Sequence, residues 1–106
     1  MSAVEPVAAL GNVTAGRLEP RTSTLLLRLP PGFPDAGPDM FWLDPPVSRP
    51  ASGPIPGTES REPYLGRTWQ RWSRHIQNQW RPSIDNLETY LVYVRRCLDQ
   101  AAGKAA

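Results

Sequence analysis

Cysteine, histidine and lysine are scarce in this chain, which has one of each among its 106 residues. A single cysteine excludes an intramolecular disulfide, and one cysteine with one histidine excludes zinc sites built from these residue types. No apolar run approaches the roughly 20 residues of a membrane-spanning helix, so no membrane association is predicted. The first residues lack the charged start and apolar stretch of a signal peptide. Together with the single cysteine, this predicts a cytoplasmic protein.

Proline and arginine are abundant instead. The chain has 13 prolines and 8 glycines, and its formal net charge is +2. Its length fits one compact domain. The small charge surplus makes nucleic acid an unfavoured partner. The sequence contains no phosphate-cradling loop, no paired catalytic carboxylates and no dinucleotide fingerprint, so no cofactor and no metal are expected.

Two short strands are predicted on either side of a proline-rich turn. Thr22–Leu29 is nearly continuous in apolar and β-compatible residues, and Asp39–Leu43 follows the turn. This order predicts an antiparallel pair. The segment 1–21 could add one strand at Val7–Leu10, closed by Gly11-Asn12 or by Ala15-Gly16.

Residues 45–66 hold six prolines and three glycines, which predicts a long irregular loop. After it, Trp69 and Trp72 are spaced three apart among arginines. That spacing predicts a short helix or helical turn over Thr68–His75, with one aromatic face and one basic edge.

The helix predicted over residues 86–101 has the clearest pattern. Asp85 is the expected N-cap, with Glu88 three residues later. Apolar residues then recur at helical spacing, and Gly103 is the expected stop. The tail 102–106 is expected to fray. These elements predict an α+β fold over residues 22–100, in which the helix packs on one face of an antiparallel meander of two to four strands.

Few side chains are suited to chemistry. Cys97 lies on the apolar stripe of the predicted helix, which favours a buried and unreactive thiol over a nucleophile. His75 is the one imidazole, and Ser73 lies two residues before it. The four tryptophans either form an aromatic core or, with the arginines between residues 61 and 81, form a stacking platform for single-stranded nucleic acid.

Two strings of residues carry a resemblance to a known family. Trp80-Arg81-Pro82 precedes the helix, as a Trp-x-Pro motif does in ubiquitin-conjugating enzymes. Pro-Asp-Met-Phe-Trp-Leu-Asp-Pro-Pro (38–46) and Gly-Arg-Thr-Trp-Gln-Arg-Trp-Ser-Arg-His (66–75) resemble the bacterial branch called prokaryotic ubiquitin-conjugating-enzyme-like family E. The resemblance covers about residues 22–100. It implies a reduced ubiquitin-conjugating-enzyme-like fold, either naturally short or missing its start.

The resemblance also implies a component of a bacterial ubiquitin-like modification system, with the ubiquitin-like protein and its activating enzyme as partners. The chain departs from the family at the active site. Asp44-Pro45-Pro46 replaces the His-Pro-Asn motif, and no cysteine stands before Trp80. The corresponding position offers Ser73 as acyl carrier, with His75 as base and Asp44 to orient it. The expected partner-binding residues are Arg67, Trp69, Arg71, Trp72 and Arg74.

Three functions stay open at this point. The first is a conjugating-enzyme-like carrier or transfer factor, because the resemblance includes the active-site region. The second is a non-catalytic adaptor of the same fold, because serine is a weaker nucleophile than the missing thiolate. The third is a nucleic-acid-binding or other interaction module.

Overall fold

The computed structural model describes residues 7–14, 18–49, 53–76 and 79–103. In these residues five strands form one antiparallel sheet of order β1-β2-β3-β5-β4, followed by a helix, α1. The element bounds are β1 Val7–Thr14, β2 Thr22–Arg28, β3 Phe41–Asp44, β4 Arg61–Tyr64, β5 Arg67–Trp72 and α1 Leu87–Ala101. The predicted α+β class with a C-terminal helix is confirmed. No helix of the described part is long and apolar enough to cross a membrane.

The sheet differs from the predicted meander in strand number and in order. It has five strands rather than two to four, and β5 rather than β4 lies beside β3. β4 and β5 are joined by a two-residue turn formed by Leu65 (φ 55°) and Gly66 (φ 72°), and positive φ at both central residues suits a tight hairpin. β5 of this hairpin pairs with β3, which leaves β4 at the sheet edge.

Both strands of this hairpin lie where other structure was predicted. β4 forms inside the segment predicted as a loop, and β5 replaces the predicted helical turn. An edge strand tolerates Pro63, because a missing N–H costs little where no neighbouring strand requires it. β5 pairs with β3 on one side and β4 on the other, and this pairing outweighs the local aromatic spacing.

β1 forms where a first strand was expected and continues to Thr14. Its pairing with β2 shifts register between Ala9 and Asn12, where Gly11 has a φ of 79° and permits a bulge. Closure at Gly11-Asn12 is therefore wrong. The alternative closure at Ala15-Gly16 lies outside the described residues, as do residues 104–106 of the expected tail.

Helix α1 is capped one residue later than predicted. The N-cap is Asn86, whose Oδ1 accepts the Thr89 N–H at 3.1 Å, while Thr89 Oγ1 accepts the Asn86 N–H at 2.9 Å. Asp85 instead accepts the Arg81 backbone N–H at 2.7 Å and bonds its guanidinium. Hydrogen bonds and charge from Arg81 hold the pKa of Asp85 below its ordinary value.

The face of the sheet that packs on α1, here called the helix face, contains the larger core. Side chains alternate along each strand, so Leu25 and Leu27 of β2, Phe41 and Leu43 of β3, and Trp72 of β5 point to it. They pack with the buried stripe of the helix, which comprises Tyr90, Val94, Cys97, Leu98 and Ala101.

The opposite face, here called the open face, has a smaller core formed by Leu26, Trp42 and Trp69. All three are fully buried, although the helix of the described residues packs on the other side. Val7, Met40 and Tyr64 pack against them, and arginine side chains lie over the two tryptophan rings. Arg28 lies 5.1 Å from the Trp42 ring centre, and Tyr64 contacts that ring edge-on at 5.5 Å.

Candidate functional site

β5 separates the aromatic residues that were expected on one face. Trp69 lies on the open face and Trp72 on the helix face, because they are an odd number of residues apart on a strand. Both rings are fully buried. A stacking platform requires exposed rings, so these two tryptophans are core residues and the predicted platform is wrong.

The three arginines of the predicted binding set are held by contacts within the chain. Arg67 lies over Trp69, 4.6 Å from its ring centre, and Arg71 Nη1 pairs with Glu62 Oε2 at 3.2 Å. Arg74 lies over Trp72 at 5.1 Å and donates to carbonyl oxygens of the neighbouring loop and of its own segment. Arg67 and Arg74 thus cover buried rings, while Arg71 is held by an ion pair. Partner binding by these arginines stays a proposal.

Asp44 does not meet His75. Its carboxylate accepts the Arg67 Nε–H at 2.7 Å and lies 2.6 Å from Arg67 Nη2. The register pairs Phe41 with Trp72, so Asp44 lies toward the start of β5 while His75 follows its end. The expectation that Asp44 orients His75 is therefore wrong: the two residues lie at opposite ends of β3.

The carboxylate that contacts His75 is that of Asp39. His75 Nδ1 lies 2.6 Å from Asp39 Oδ1, and both side chains are about half exposed, at 44% and 51%. A carboxylate only accepts hydrogen bonds, so the proton of the neutral imidazole lies on Nδ1 and the lone pair on Nε2. The imidazole thus contacts Asp39 rather than Asp44, and a role of His75 as a base stays a proposal.

Met40 holds the two residues opposite each other. Its backbone has a φ of 63°, which is unfavourable for a side chain of this type. Hydrogen bonds on both sides hold it there: its N–H donates to Arg74 O at 3.0 Å, and its carbonyl accepts the Tyr90 hydroxyl at 2.7 Å. The first bond connects the Asp39 segment to the His75 segment, and the second connects both to α1.

Ser73 lies beside the pair without joining it. Its backbone N–H donates to Gly57 O at 2.9 Å, and its Oγ lies 3.9 Å from the Met40 sulfur. Ser73 Oγ makes a weak contact with Met40, and the His75 imidazole is hydrogen-bonded to Asp39 instead. Ser73 therefore shares the region with His75 but is not hydrogen-bonded to it.

The thiol is on the helix face, as its position in the sequence predicted. Cys97 is 5% exposed. Burial raises its pKa above that of a free thiol, and burial together with Cys97 raises the pKa of Tyr93 to about 12. A buried thiol with a raised pKa is a poor nucleophile at neutral pH. No cluster of three or more metal-ligating side chains occurs among the described residues.

Sequence reasoning missed Asp39 because it assigned the wrong structure to β5. Asp39 was placed at the start of β3, and His75 on a helical turn. Had residues 67–72 been interpreted as a strand, antiparallel pairing with β3 would have brought the residues before Phe41 opposite those after Trp72. The order Trp69-Gln70-Arg71-Trp72-Ser73 does not alternate apolar and polar residues, so no local signal identifies the strand.

A comparison with family models matches residues 8–101 to the family described as prokaryotic E2 family E. The match begins at the second residue of β1 and ends with the last residue of α1. No curated protein and no solved structure shows significant similarity to the chain.

Proposed function

This chain belongs to the prokaryotic E2 family E, and from that membership we propose that it is a component of a bacterial ubiquitin-like protein modification system. In this system it binds the ubiquitin-like protein and its activating enzyme, and it promotes transfer of the activated protein. The observation that carries the proposal is the exposed Asp39–His75 pair. It lies just before Trp80-x-Pro82, where the fold that this chain resembles has its active site.

A carrier version of this proposal assigns the acyl group to Ser73. Loss of the hydroxyl proton to a base would let Oγ attack the thioester carbonyl at the carboxyl terminus of the ubiquitin-like protein. An oxyester forms as the carbon–sulfur bond breaks, and the sulfur leaves as a thiolate that takes up the proton. Ser73 is half-buried, and among the described residues its hydroxyl contacts the Met40 sulfur. A shift of the His75 ring or of Ser73 would be needed to bring base and nucleophile together.

The carrier version is tested by incubating the protein with the cognate activating enzyme, ATP and ubiquitin-like protein, followed by gels with and without reducing agent. If the chain is a carrier, its covalent adduct with the ubiquitin-like protein should survive thiol treatment and should be absent in Ser73→Ala. An adduct removed by thiol would point to Cys97. No adduct, with binding to the partner retained, excludes this chain as a carrier.

A non-catalytic adaptor is the second candidate, and the position of the nucleophiles favours it. Cys97 is buried, and Ser73 lies outside hydrogen-bonding contact with His75. If the chain is an adaptor, it should bind the ubiquitin-like protein or the activating enzyme. Transfer should then proceed at the same rate with and without the His75 side chain. Titration of the partner by fluorescence anisotropy, combined with the transfer rate of His75→Gln, separates the two functions.

A further inference from the structure

We propose that Asp39 and His75 form a general base for a nucleophile that a partner supplies, so that the acyl group never resides on this chain. This inference rests on the proposed function, because the acyl donor is a thioester carried by the activating enzyme. It departs from the carrier version, because neither Ser73 nor Cys97 takes part.

The geometry of the pair determines which nitrogen acts. Asp39 Oδ1 accepts from Nδ1 at 2.6 Å, which leaves Nε2 with its lone pair. The His75 side chain is 44% exposed, so solvent reaches it. Among side chains, imidazole is the one that ordinarily gains and loses a proton near neutral pH. Asp39 is therefore a positioning residue, and His75 is the group that meets the substrate.

Three nucleophilic side chains of the described residues make their contacts away from His75. The Tyr90 hydroxyl donates to the Met40 carbonyl, and the Cys97 thiol is buried on the helix face. The Ser73 hydroxyl faces the Met40 sulfur. Among the hydrogen bonds of the described residues, the one at the imidazole is made with Asp39. A base that contacts none of these three side chains fits a reaction in which the nucleophile arrives from outside, and an amine is the nucleophile that yields a stable amide.

The positions of Asp39 and His75 are also fixed in a way that suits a base. Both flank backbone that is hydrogen-bonded to a neighbouring segment, through Met40 N–H to Arg74 O. Arg74 itself is directed away, over the Trp72 ring and toward the Pro56 carbonyl. The imidazole is therefore held by the carboxylate while its outer edge stays uncovered by that guanidinium.

The step balances as an aminolysis. The nitrogen of a neutral amine forms a bond to the carbonyl carbon of the partner's thioester, and Nε2 takes a proton from that nitrogen. The carbon–sulfur bond breaks, and its electron pair leaves with the sulfur as thiolate. His75 returns the proton to the thiolate, so that the products are an amide and a free thiol on the activating enzyme.

The test is single-turnover discharge. Activating enzyme charged with the ubiquitin-like protein is freed of ATP and mixed with free lysine and with each variant, and the amide product is followed by mass spectrometry. His75→Gln should slow discharge by about 100-fold or more, the usual range for loss of a general base. Asp39→Asn should give a rate between those of His75→Gln and the natural protein. Asp35→Asn, which removes an exposed carboxylate four residues earlier, is the matched control and should not change the rate.

A spectroscopic measurement distinguishes positioning from a structural role of Asp39. Long-range ¹H–¹⁵N spectra of the natural protein should show the neutral imidazole proton on Nδ1. In Asp39→Asn the amide can donate to Nδ1, so the proton should move toward Nε2. A proton on Nε2 in the natural protein would overturn the assignment.

The outcomes separate the two levels of inference. Unchanged discharge in His75→Gln, with the activating enzyme still bound, overturns the base and leaves the proposed function standing. Loss of discharge in Ser73→Ala together with a thiol-resistant adduct overturns the base in favour of the carrier. Natural protein that neither binds the charged enzyme nor accelerates discharge overturns the proposed function, and the base with it.

Discussion

Trp69 and Trp72 lie on the same strand and on opposite faces of the sheet, and neither is exposed to solvent. Trp72 stacks on Phe41 with ring centres 5.4 Å apart, and its Nε1–H donates to the buried Gln70 side chain. Trp69 is covered by the Arg67 guanidinium and donates to the Tyr64 carbonyl at 2.8 Å. Equal burial thus comes from a packed helix on one face and, on the other, from arginine side chains together with Val7, Met40 and Tyr64.

The difference shows how a domain with one helix can close both faces of a sheet. Arginine buries its aliphatic stem and keeps its charge in water, so Arg28 and Arg67 cover Trp42 and Trp69. Such a cover is softer than a packed core, because solvent can replace part of it. The open face should therefore tolerate change better than the helix face.

The largest test of this comparison is to remove each tryptophan. Trp72→Ala should lower the free energy of unfolding by about 3–5 kcal/mol, as expected for a large aromatic in a rigid core. Trp69→Ala should cost less than Trp72→Ala, because its cover can collapse onto the site and water can enter. Urea unfolding followed by circular dichroism measures both variants.

Equal costs in the two variants would show that the arginine cover packs as rigidly as the helix. A larger loss in Trp69→Ala would reverse the comparison.

Sequence reasoning recovered the elements whose signals are local. The apolar run of β2 and the helical periodicity of α1 are both explained by burial of their own side chains. β4 and β5 were missed because their stability depends on each other and on β3, and such non-local pairing leaves little trace in spacing.

The candidate site was likewise predicted only in part, because some of its contacts depend on the pairing between strands. The segment around His75 was identified from the resemblance, and Cys97 was correctly assigned to the core. Asp44 was chosen as the orienting residue since nothing local distinguishes it from Asp39. Only the register between β3 and β5, with the turn of backbone at Met40, brings Asp39 to the imidazole.

A second prediction concerns the addition of one methyl group at Gly37, in the proline-rich turn that contacts Trp80. A Cβ at Gly37 would lie 2.5 Å from the ring of Trp80, whose Nε1–H also donates to Pro34 O. Gly37→Ala should therefore force the ring or the proline-rich turn to move, at a cost of about 1–3 kcal/mol. Gly66→Ala is a useful comparison: no heavy atom lies within 4 Å there, although its φ of 72° adds backbone strain.

If Gly37→Ala is less destabilising than Gly66→Ala, the contact with Trp80 is not rigid. The thermal unfolding midpoints of the two variants, measured in one buffer, decide this.

A third prediction concerns alkaline pH. Burial raises the pKa values of Cys97 and Tyr93 in the folded protein. As pH rises, the unfolded chain therefore loses these protons before the folded protein does. Above about pH 8.5, the ordinary pKa of a thiol, the folded state binds more protons than the unfolded state. The free energy of unfolding should fall as pH rises from there. Urea unfolding between about pH 7 and pH 10 measures the slope.

Cys97→Ala supplies the control for that slope. At neutral pH it should cost about 1 kcal/mol of packing, and it should flatten the alkaline decline because one of the titrating groups is gone. A maleimide should label Cys97 slowly in the native protein and rapidly in denaturant. Fast native labelling, or an unchanged alkaline slope, would contradict the burial of the thiol.

The smallest effect is expected at the cover of the open face. Arg67→Ala removes the cation above Trp69 and the ion pair with Asp44. Because the Arg67 side chain is 45% exposed, solvent screens both interactions, and the cost should be about 0.5–1 kcal/mol. Arg96→Ala, which removes an exposed arginine of α1, controls for loss of charge alone and should be nearly neutral.

Salt should reduce the contribution of the ion pair more than that of the stacked guanidinium, so Arg67→Ala should keep part of its cost at high ionic strength. If high salt abolished the difference entirely, the arginine would act only through Asp44, and the open face would owe its burial to other side chains.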